Sequence, residues 1–375
     1  PAEVIASVLA DGAKNGLKSA LVYASRFGEG DDPEGAERAK AVKAICEEHD
    51  LRVCGPNCMG LVSLPNDLLF YPSPRIRGLP KGPVGVVFQS GGTFMFWLAQ
   101  AAKRGLGFSY AVSSGNEIDM DLSDYINFMV EDENTKMIVA MVEGVRRPDA
   151  FMEVSEKALA ARKPILLVKI GSSELGQAAT RSHTGALAGN DEVFNAVCNK
   201  YGVIRCASLD DLIETGLAFQ AGRYPKGPGA AMVGYSGGGK GLFLDHAAQE
   251  GLEIAKFSEA TADAIRPLID SGVPAENPVD CGAGIAPHQD VFSQVCQICV
   301  KDPAVHIVTV QGQMPTIPSD PADPSVFTDI VDCTEKPVIG LGRLAQNVTP
   351  AGLDFQAQCR MPFLQGLPET ARALK

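Results

Sequence analysis

The sequence predicts an α/β protein built from doubly wound parallel sheets. Three observations carry that prediction. Short, strongly apolar runs recur, as at residues 84–88, 137–142 and 165–170, and stretches of helical period fall between them. Strands that alternate with helices of this length belong to parallel sheets with helices on both faces. Two segments, Gly85-Val-Val-Phe-Gln-Ser-Gly-Gly-Thr93 and Ala230-Ala-Met-Val-Gly-Tyr-Ser-Gly-Gly-Gly-Lys240, repeat one form. Each reads as a strand, a Ser-Gly-Gly turn and a helix, which points to a duplicated module.

In chain order, residues 1–75 read as a helix opening directly at Pro1, a strand at 20–24 and a helix at 34–49. A short strand at 51–54 and the turn Gly55-Pro-Asn-Cys58 follow. This is the second half of a doubly wound sheet. With no initiator Met and no leading strand, the chain reads as a processed chain or a fragment. The Pro/Gly-rich stretch 72–83 is a linker. The second domain, 76–222, carries strands at 84–88, 107–112, 137–142, 165–170 and near Val203. Five strands alternating with helices give a flavodoxin-like sheet. A second linker at 221–229 opens the third domain, 223–375. Its strands are expected at 230–234, 252–255, 305–310 and 337–340, and its last segment, 350–375, ends in a short helical piece.

Composition narrows the function. The chain has 375 residues, 45% hydrophobic and 21% charged, with a net charge of −12. That balance fits a soluble cytoplasmic protein and argues against a nucleic-acid partner. No run reaches the length of a membrane span, and no signal peptide is present. The ten cysteines form no zinc-like array with histidines, so no metal site is assigned, and they read as reduced thiols. Cys296 and Cys299 lie in a helical pattern and are expected to pack.

Three features carry chemistry. Ser90, Gly91, Gly92 and Thr93 form one turn, and Ser236, Gly237, Gly238 and Gly239 form the other. Free N–H groups and the positive helix end at such turns favour phosphate. A single turn of this kind is often only a tight connection. The third feature is Arg181-Ser-His-Thr-Gly-Ala-Leu-Ala-Gly-Asn190, read as a small-residue loop before a helix at 191–200, with Asn190 or Asp191 as N-cap. His183 in that loop suits a covalent carrier, because its ordinary pKa near 7 leaves a neutral nucleophilic nitrogen. The plainer alternative is an exposed loop histidine. Two helix ends facing one loop histidine would hold a phosphohistidine between them. Glu143, after the strand at 137–142, stands where ligands meet open α/β sheets, as do Ser25, Arg26 and Asn57. Lys240 follows the second glycine turn, but Gly241 stands where a Walker motif needs Ser or Thr.

Taken together, these segments resemble the NDP-forming acyl-CoA synthetases, which include ADP-forming acetyl-CoA synthetase and are related to succinyl-CoA synthetase. The resemblance covers essentially the whole chain. Ser182-His-Thr-Gly-Ala-Leu-Ala-Gly189 is similar to the family's phosphohistidine loop. Gly55-Pro-Asn-Cys-Met-Gly60, Gln89-Ser-Gly-Gly-Thr93, Glu143-Gly144 and Asn277-Pro-Val-Asp280 match further motifs in the family's order. The resemblance implies an acid–CoA ligase that makes acyl-CoA from a carboxylic acid, CoA and ATP, through an acyl phosphate and phosphorylated His183. It implies a Rossmann-like CoA-binding domain at 1–75, lacking its leading glycine-rich turn, with Ser25, Arg26 and Asn57 toward CoA. It implies that Glu143 orients the imidazole. Asn277 and Gly282 would lie near the acyl substrate, with a plain Pro/Gly connection as the equal alternative. ATP/ADP with Mg2+ would bind mainly on an ATP-grasp module outside these residues, fused or as a separate subunit, in an oligomeric enzyme.

Two rivals remain. A non-catalytic CoA- or acyl-CoA-sensing module of a fused acyltransferase need not keep the histidine, which stands here in an intact loop. A nicotinamide dehydrogenase would need Gly-x-Gly-x-x-Gly after its first strand, and neither glycine turn has that spacing.

Overall fold

The computed structural model describes residues 1–30, 32–184, 190–319 and 322–375. The chain divides into two compact units, one of residues 1–102 and 106–212, the other of 103–105 and 213–375.

Unit 1 opens with a small layer of its own. Strands β1 (Ser19–Leu21) and β2 (Arg52–Cys54) pair in parallel, and helices α1 (Ala2–Lys14) and α2 (Pro33–His49) pack with them. Leu9, Val22, Phe27, Val42, Leu51 and Val53 form the core of this layer.

The main sheet of unit 1 has seven strands. In chain order they are β3 (Gly60–Ser63), β4 (Leu68–Phe70), β5 (Lys81–Phe88), β6 (Phe108–Ser113), β7 (Met137–Val142), β8 (Ile165–Lys169) and β9 (Val203–Arg205). Their order across the sheet is β4-β3-β6-β5-β7-β8-β9. Strands β5 to β9 are parallel, whereas β3 and β4 form an antiparallel hairpin on the β6 edge. Residues 84–88 are all buried, as a strand covered by helices on both faces requires. The connecting helices of this unit are α3 (Gly91–Arg104), α4 (Leu122–Glu131), α5 (Pro148–Ala160), α6 (Glu174–Thr184) and α7 (Asp191–Tyr201), and α8 (Leu209–Gln220) follows, most of it in unit 2.

Unit 2 repeats the plan. Strands β10 (Ala230–Gly234), β11 (Val279–Asp280), β12 (Ile307–Gln311), β13 (Val338–Gly342) and β14 (Phe363–Gln365) are all parallel, in the order β11-β10-β12-β13-β14. Helices α9 (Gly237–Glu250), α10 (Glu259–Ile265), α11 (Gln289–Lys301), α12 (Ser325–Asp332), α13 (Pro350–Cys359) and α14 (Leu367–Leu374) fill the connections. If the hairpin is set aside, both sheets have the flavodoxin strand order 2-1-3-4-5. The order of strand addition across the sheet therefore reverses between β5 and β7 in unit 1, and between β10 and β12 in unit 2.

Several expectations need correction. The hairpin β3–β4 falls between the expected turn at 55–58 and the expected linker at 72–83, where no element was assigned; its strands are four and three residues long, too short for a clear alternation. It raises the expected five strands of this sheet to seven. Residues 252–255 form no strand, and beside β10 they make the isolated bridge from Ala230 to Ile254. The short strands β11 and β14 were not foreseen. Both glycine turns are helix, because α3 starts at Gly91 and α9 at Gly237. Residues 181–184, expected as loop, continue α6. Residues 185–189 lie outside the described residues.

Candidate functional site

In unit 1 the site candidates gather at the carboxyl ends of the strands, around the switch point between β5 and β7. Gln89, directly after β5, is the hub. Its side-chain oxygen accepts the N–H groups of Glu143 at 2.5 Å and Gly144 at 3.2 Å, just past β7. Its amide nitrogen donates to the Gly144 carbonyl at 2.8 Å and to the Glu117 carboxylate at 2.9 Å. The turn that carries Glu143 is thereby fixed to the strand that leads into the Ser90 helix end. Lys169, buried at the end of β8, donates to the Glu143 carbonyl at 2.8 Å. Its burial lowers the ammonium pKa. The Glu143 carboxylate itself accepts no hydrogen bond among the described residues.

Ser90 stands at the N-terminal end of α3. Its hydroxyl donates to that of Thr93 at 3.1 Å, and its carbonyl accepts the Phe94 N–H at 3.0 Å. Gly92 is exposed, and a Cβ there would meet nothing within 4 Å. The first N–H groups of the helix have no carbonyl one turn back, so they stay available to an anion. Gly91 is more constrained, since a Cβ there would come within 2.3 Å of Met59 Cγ.

Asn57 and the loop after Arg26 join the same network. The Asn57 side chain donates to Asn116 at 3.2 Å, and Asn116 donates to Glu29 at 2.6 Å. Glu29 in turn accepts the Phe27 N–H at 2.7 Å. Arg26 has a positive φ of 74° and pairs with Glu3 at 2.8 Å on the surface. Ser25 lies just past β1 in the same loop. Expected CoA residues, phosphate turn and Glu143 thus share one end of unit 1.

Sequence reasoning quoted Gln89 only as part of a motif and missed Glu117. That carboxylate is 3% exposed and accepts from Ser114 at 2.7 Å as well as from Gln89. Burial lifts its pKa from 4.5 to about 7, against the pull of those donors and of Arg146. The available signal was a carboxylate in the turn Gly115-Asn116-Glu117 directly after a buried strand.

His183 lies in the last turn of α6, and its side chain falls outside the described residues. Asn190 caps α7 as expected, accepting the N–H groups of Glu192 and Val193.

In unit 2, Ser236 caps α9 and accepts the Gly239 N–H at 3.3 Å. Gly237 and Gly238 are exposed. Lys240 turns away to Glu276 at 2.8 Å. Asn277 does not join this turn. Its amide donates to the carbonyls of Ala230 and Ala255, each at 2.8 Å, and its oxygen accepts the Met232 N–H at 3.1 Å. The side chain extends the β11 ladder along β10 and so fastens this connection. Gly282 has φ +83°, and its N–H donates to Asp280; a Cβ there would strike the Asp270 carboxylate. Its glycine is therefore required by the turn itself. None of the ten cysteines is in a disulfide. Cys296 and Cys299 are fully buried in the unit 2 core, as their spacing on α11 requires. Among the described residues no cluster suited to a metal occurs, and no helix is long and apolar enough to cross a membrane.

Two flavodoxin-like sheets, each with a serine–glycine helix end at its switch point, define a doubly wound α/β protein with two anion-facing helix ends. Comparison with known proteins makes that class specific. Residues 81–219 match the family described as the succinyl-CoA ligase like flavodoxin domain. The chain is 34% identical to acetate–CoA ligase [ADP-forming] II of Archaeoglobus fulgidus, over 75% of this chain and 41% of that protein. It is 30% identical to a trans-feruloyl-CoA synthase of an unknown prokaryotic organism, over 97% of this chain and 52% of that protein. It is 29% identical to acetate–CoA ligase [ADP-forming] II subunit alpha of Pyrococcus furiosus, over 84% and 67%. The structure of acetyl-coenzyme A synthetase 1 from Ca. Korarchaeum cryptofilum, in complex with phosphate and ADP, superposes with a TM-score of 0.85 at 25% identity. That match covers all of this chain and 80% of the other. The chain belongs to the NDP-forming acyl-CoA synthetase family. It spans about half the length of the first two relatives, 41% and 52%.

Proposed function

We propose that this chain is the acyl-transferring part of an ADP-forming acid–CoA ligase. The observation that carries the reading is the Gln89 hub, which fixes Glu143 beside the helix end at Ser90. A carboxylate on a turn whose backbone is held in place, and a set of available N–H groups at the same switch point, suit a phosphorylated imidazole. The carboxylate orients the ring and the helix end takes the phosphoryl oxygens.

The reaction then runs in three transfers. The γ-phosphoryl group of ATP passes to an imidazole nitrogen of His183; an N–P bond forms as the bond to ADP breaks. An oxygen of the acid's carboxylate attacks the phosphorus, giving an acyl phosphate and returning the electron pair to the ring. The CoA thiolate attacks the acyl carbon, and phosphate leaves. His183 must serve two distant sites, and the small residues after it suit such travel. Ser25, Arg26 and Asn57 hold CoA, while Ser90–Thr93 and Ser236–Gly239 bind phosphoryl oxygens. ATP with Mg2+ enters on an ATP-grasp domain or subunit, a reading supported by relatives whose names mark them as subunit alpha. The enzyme works in the cytoplasm on a carboxylic acid.

Acyl-CoA formation, followed as acid-dependent loss of free CoA thiol in the presence of ATP and an ATP-grasp partner, tests this reading. Thiol loss that requires acid, ATP and partner together is the expected result. No loss with any acid would overturn it.

A further inference from the structure

A cavity of about 420 Å3 opens at the carboxyl end of the unit 2 sheet. It lies at the switch point, between Tyr235 after β10 and Gln311 at the end of β12, where open sheets of this order bind ligands. Phe327 and Phe355 line it, with rings 5.9 Å apart and edge to face. Tyr235 stacks on Phe292 at 4.3 Å, so the cavity wall it forms is rigid. Arg343, just past β13, also lines the cavity. Arg343 pairs with no carboxylate among the described residues. Its side chain lies against the first turn of α9, with Cδ 3.5 Å from where a Cβ on Gly239 would be. The cavity therefore opens beside the Ser236 helix end.

We propose that this cavity is the acid-binding pocket and that its occupant is a carboxylic acid bearing an aromatic ring. The identification of the occupant as an acid rests on the ligase reading above. The class follows from size and lining. At roughly 30 Å3 per water-sized group, the cavity has room for on the order of a dozen heavy atoms, far more than acetate needs. Aromatic rings offer an edge-to-face seat for another ring. The guanidinium of Arg343 binds the carboxylate through paired N–H donors and directs it toward the α9 helix end. Asp323, the acidic residue in the lining, holds the Ser325 N–H at 2.9 Å. Its charge repels a carboxylate placed at its side, which leaves the Arg343 side for the acid group.

Calorimetric titration of the chain with 3-phenylpropanoate and with acetate tests the proposal without any turnover. The aryl acid is expected to bind saturably and acetate at least tenfold more weakly. Arg343→Gln should weaken aryl-acid binding about tenfold or more. Gln313→Trp, on the exposed rim of the cavity, should abolish it while leaving the melting temperature unchanged. Equal binding of the two acids, no binding of the aryl acid, or binding indifferent to both variants would overturn the pocket. Failure of the ligase reading shows separately, as no acid-dependent loss of CoA thiol with ATP and the partner present. Aryl-acid binding that both variants weaken supports the pocket even then.

Discussion

The side chain of Gln89, after β5, accepts the backbone N–H of Glu143, after β7, at 2.5 Å. The same amide reaches Gly144 and Glu117, so one residue closes the switch point of unit 1. Gln89→Leu keeps the approximate volume but removes every partner. The N–H groups of Glu143 and Gly144 then lose their acceptor and Glu117 loses a donor. Unsatisfied groups of this kind cost about 1–3 kcal/mol each, less where water enters. We expect a loss of roughly 2–3 kcal/mol in urea unfolding, together with a phosphoryl-transfer rate lowered at least tenfold. Unchanged stability would show that the hub is dispensable.

Glu117 makes a pH prediction. Burial lifts its pKa from 4.5 to about 7. Between those values the folded chain binds the proton more tightly than the unfolded chain. Its contribution to stability is therefore full below pH 4.5 and is lost as pH rises toward 7. Glu117→Gln removes that loss. Relative to the parent, the variant should gain stability from pH 5 to pH 8, by at most about 3 kcal/mol. Urea unfolding at the two pH values reads the difference. A gain that is the same at both would contradict the assignment.

The legibility of the chain divides along physical lines. Strands β5, β7, β8, β10 and β13 were readable because each is a buried apolar run bounded by turns. The hairpin β3–β4 and the two-residue β11 were not, since pairing rather than local pattern makes them strands. Asn277 was placed near the acyl substrate by resemblance, with a plain connection as the equal alternative, and sequence could not show that its amide bonds along β10. Glu117 and Arg343 were invisible because sequence shows neither burial nor the lack of a partner. Glu143 was singled out from its place at a strand end and from the family resemblance, and the Ser90 turn from its repeated strand–Ser-Gly-Gly–helix form.

The two glycine turns separate packing from phosphate access. Gly238 lies in the first turn of α9, where a Cβ would meet only Ser236 Oγ at 3.8 Å. Gly238→Ala should therefore stabilise the helix, by roughly 0.5–1 kcal/mol. If the open backbone serves a phosphate, the same change slows phosphoryl transfer. Gly91→Ala pushes against Met59 and should lower stability, by about 1–3 kcal/mol. Thermal melts and transfer rates on both variants decide the matter. A Gly238→Ala protein that is both more stable and fully active would remove phosphate access as the reason for glycine there.

His183 is the central wager of the proposed chemistry. A phosphoramidate survives alkali and is lost in acid, unlike phosphoserine. The complete enzyme with γ-labelled ATP should carry an acid-labile label on the peptide spanning residues 181–190. His183→Ala and His183→Asn should abolish the label and acyl-CoA formation together, with melting temperature retained. His183→Asp should not restore them, because a carboxylate lacks the ring's second nitrogen for Glu143 to hold. The other histidines are poorly placed to travel. His49 closes α2, His246 lies within α9 and His288 caps α11. His306 precedes β12 with its ring against Gly227. Label on any of these, or near-normal turnover by His183→Ala, would refute the carrier and with it the three-transfer sequence.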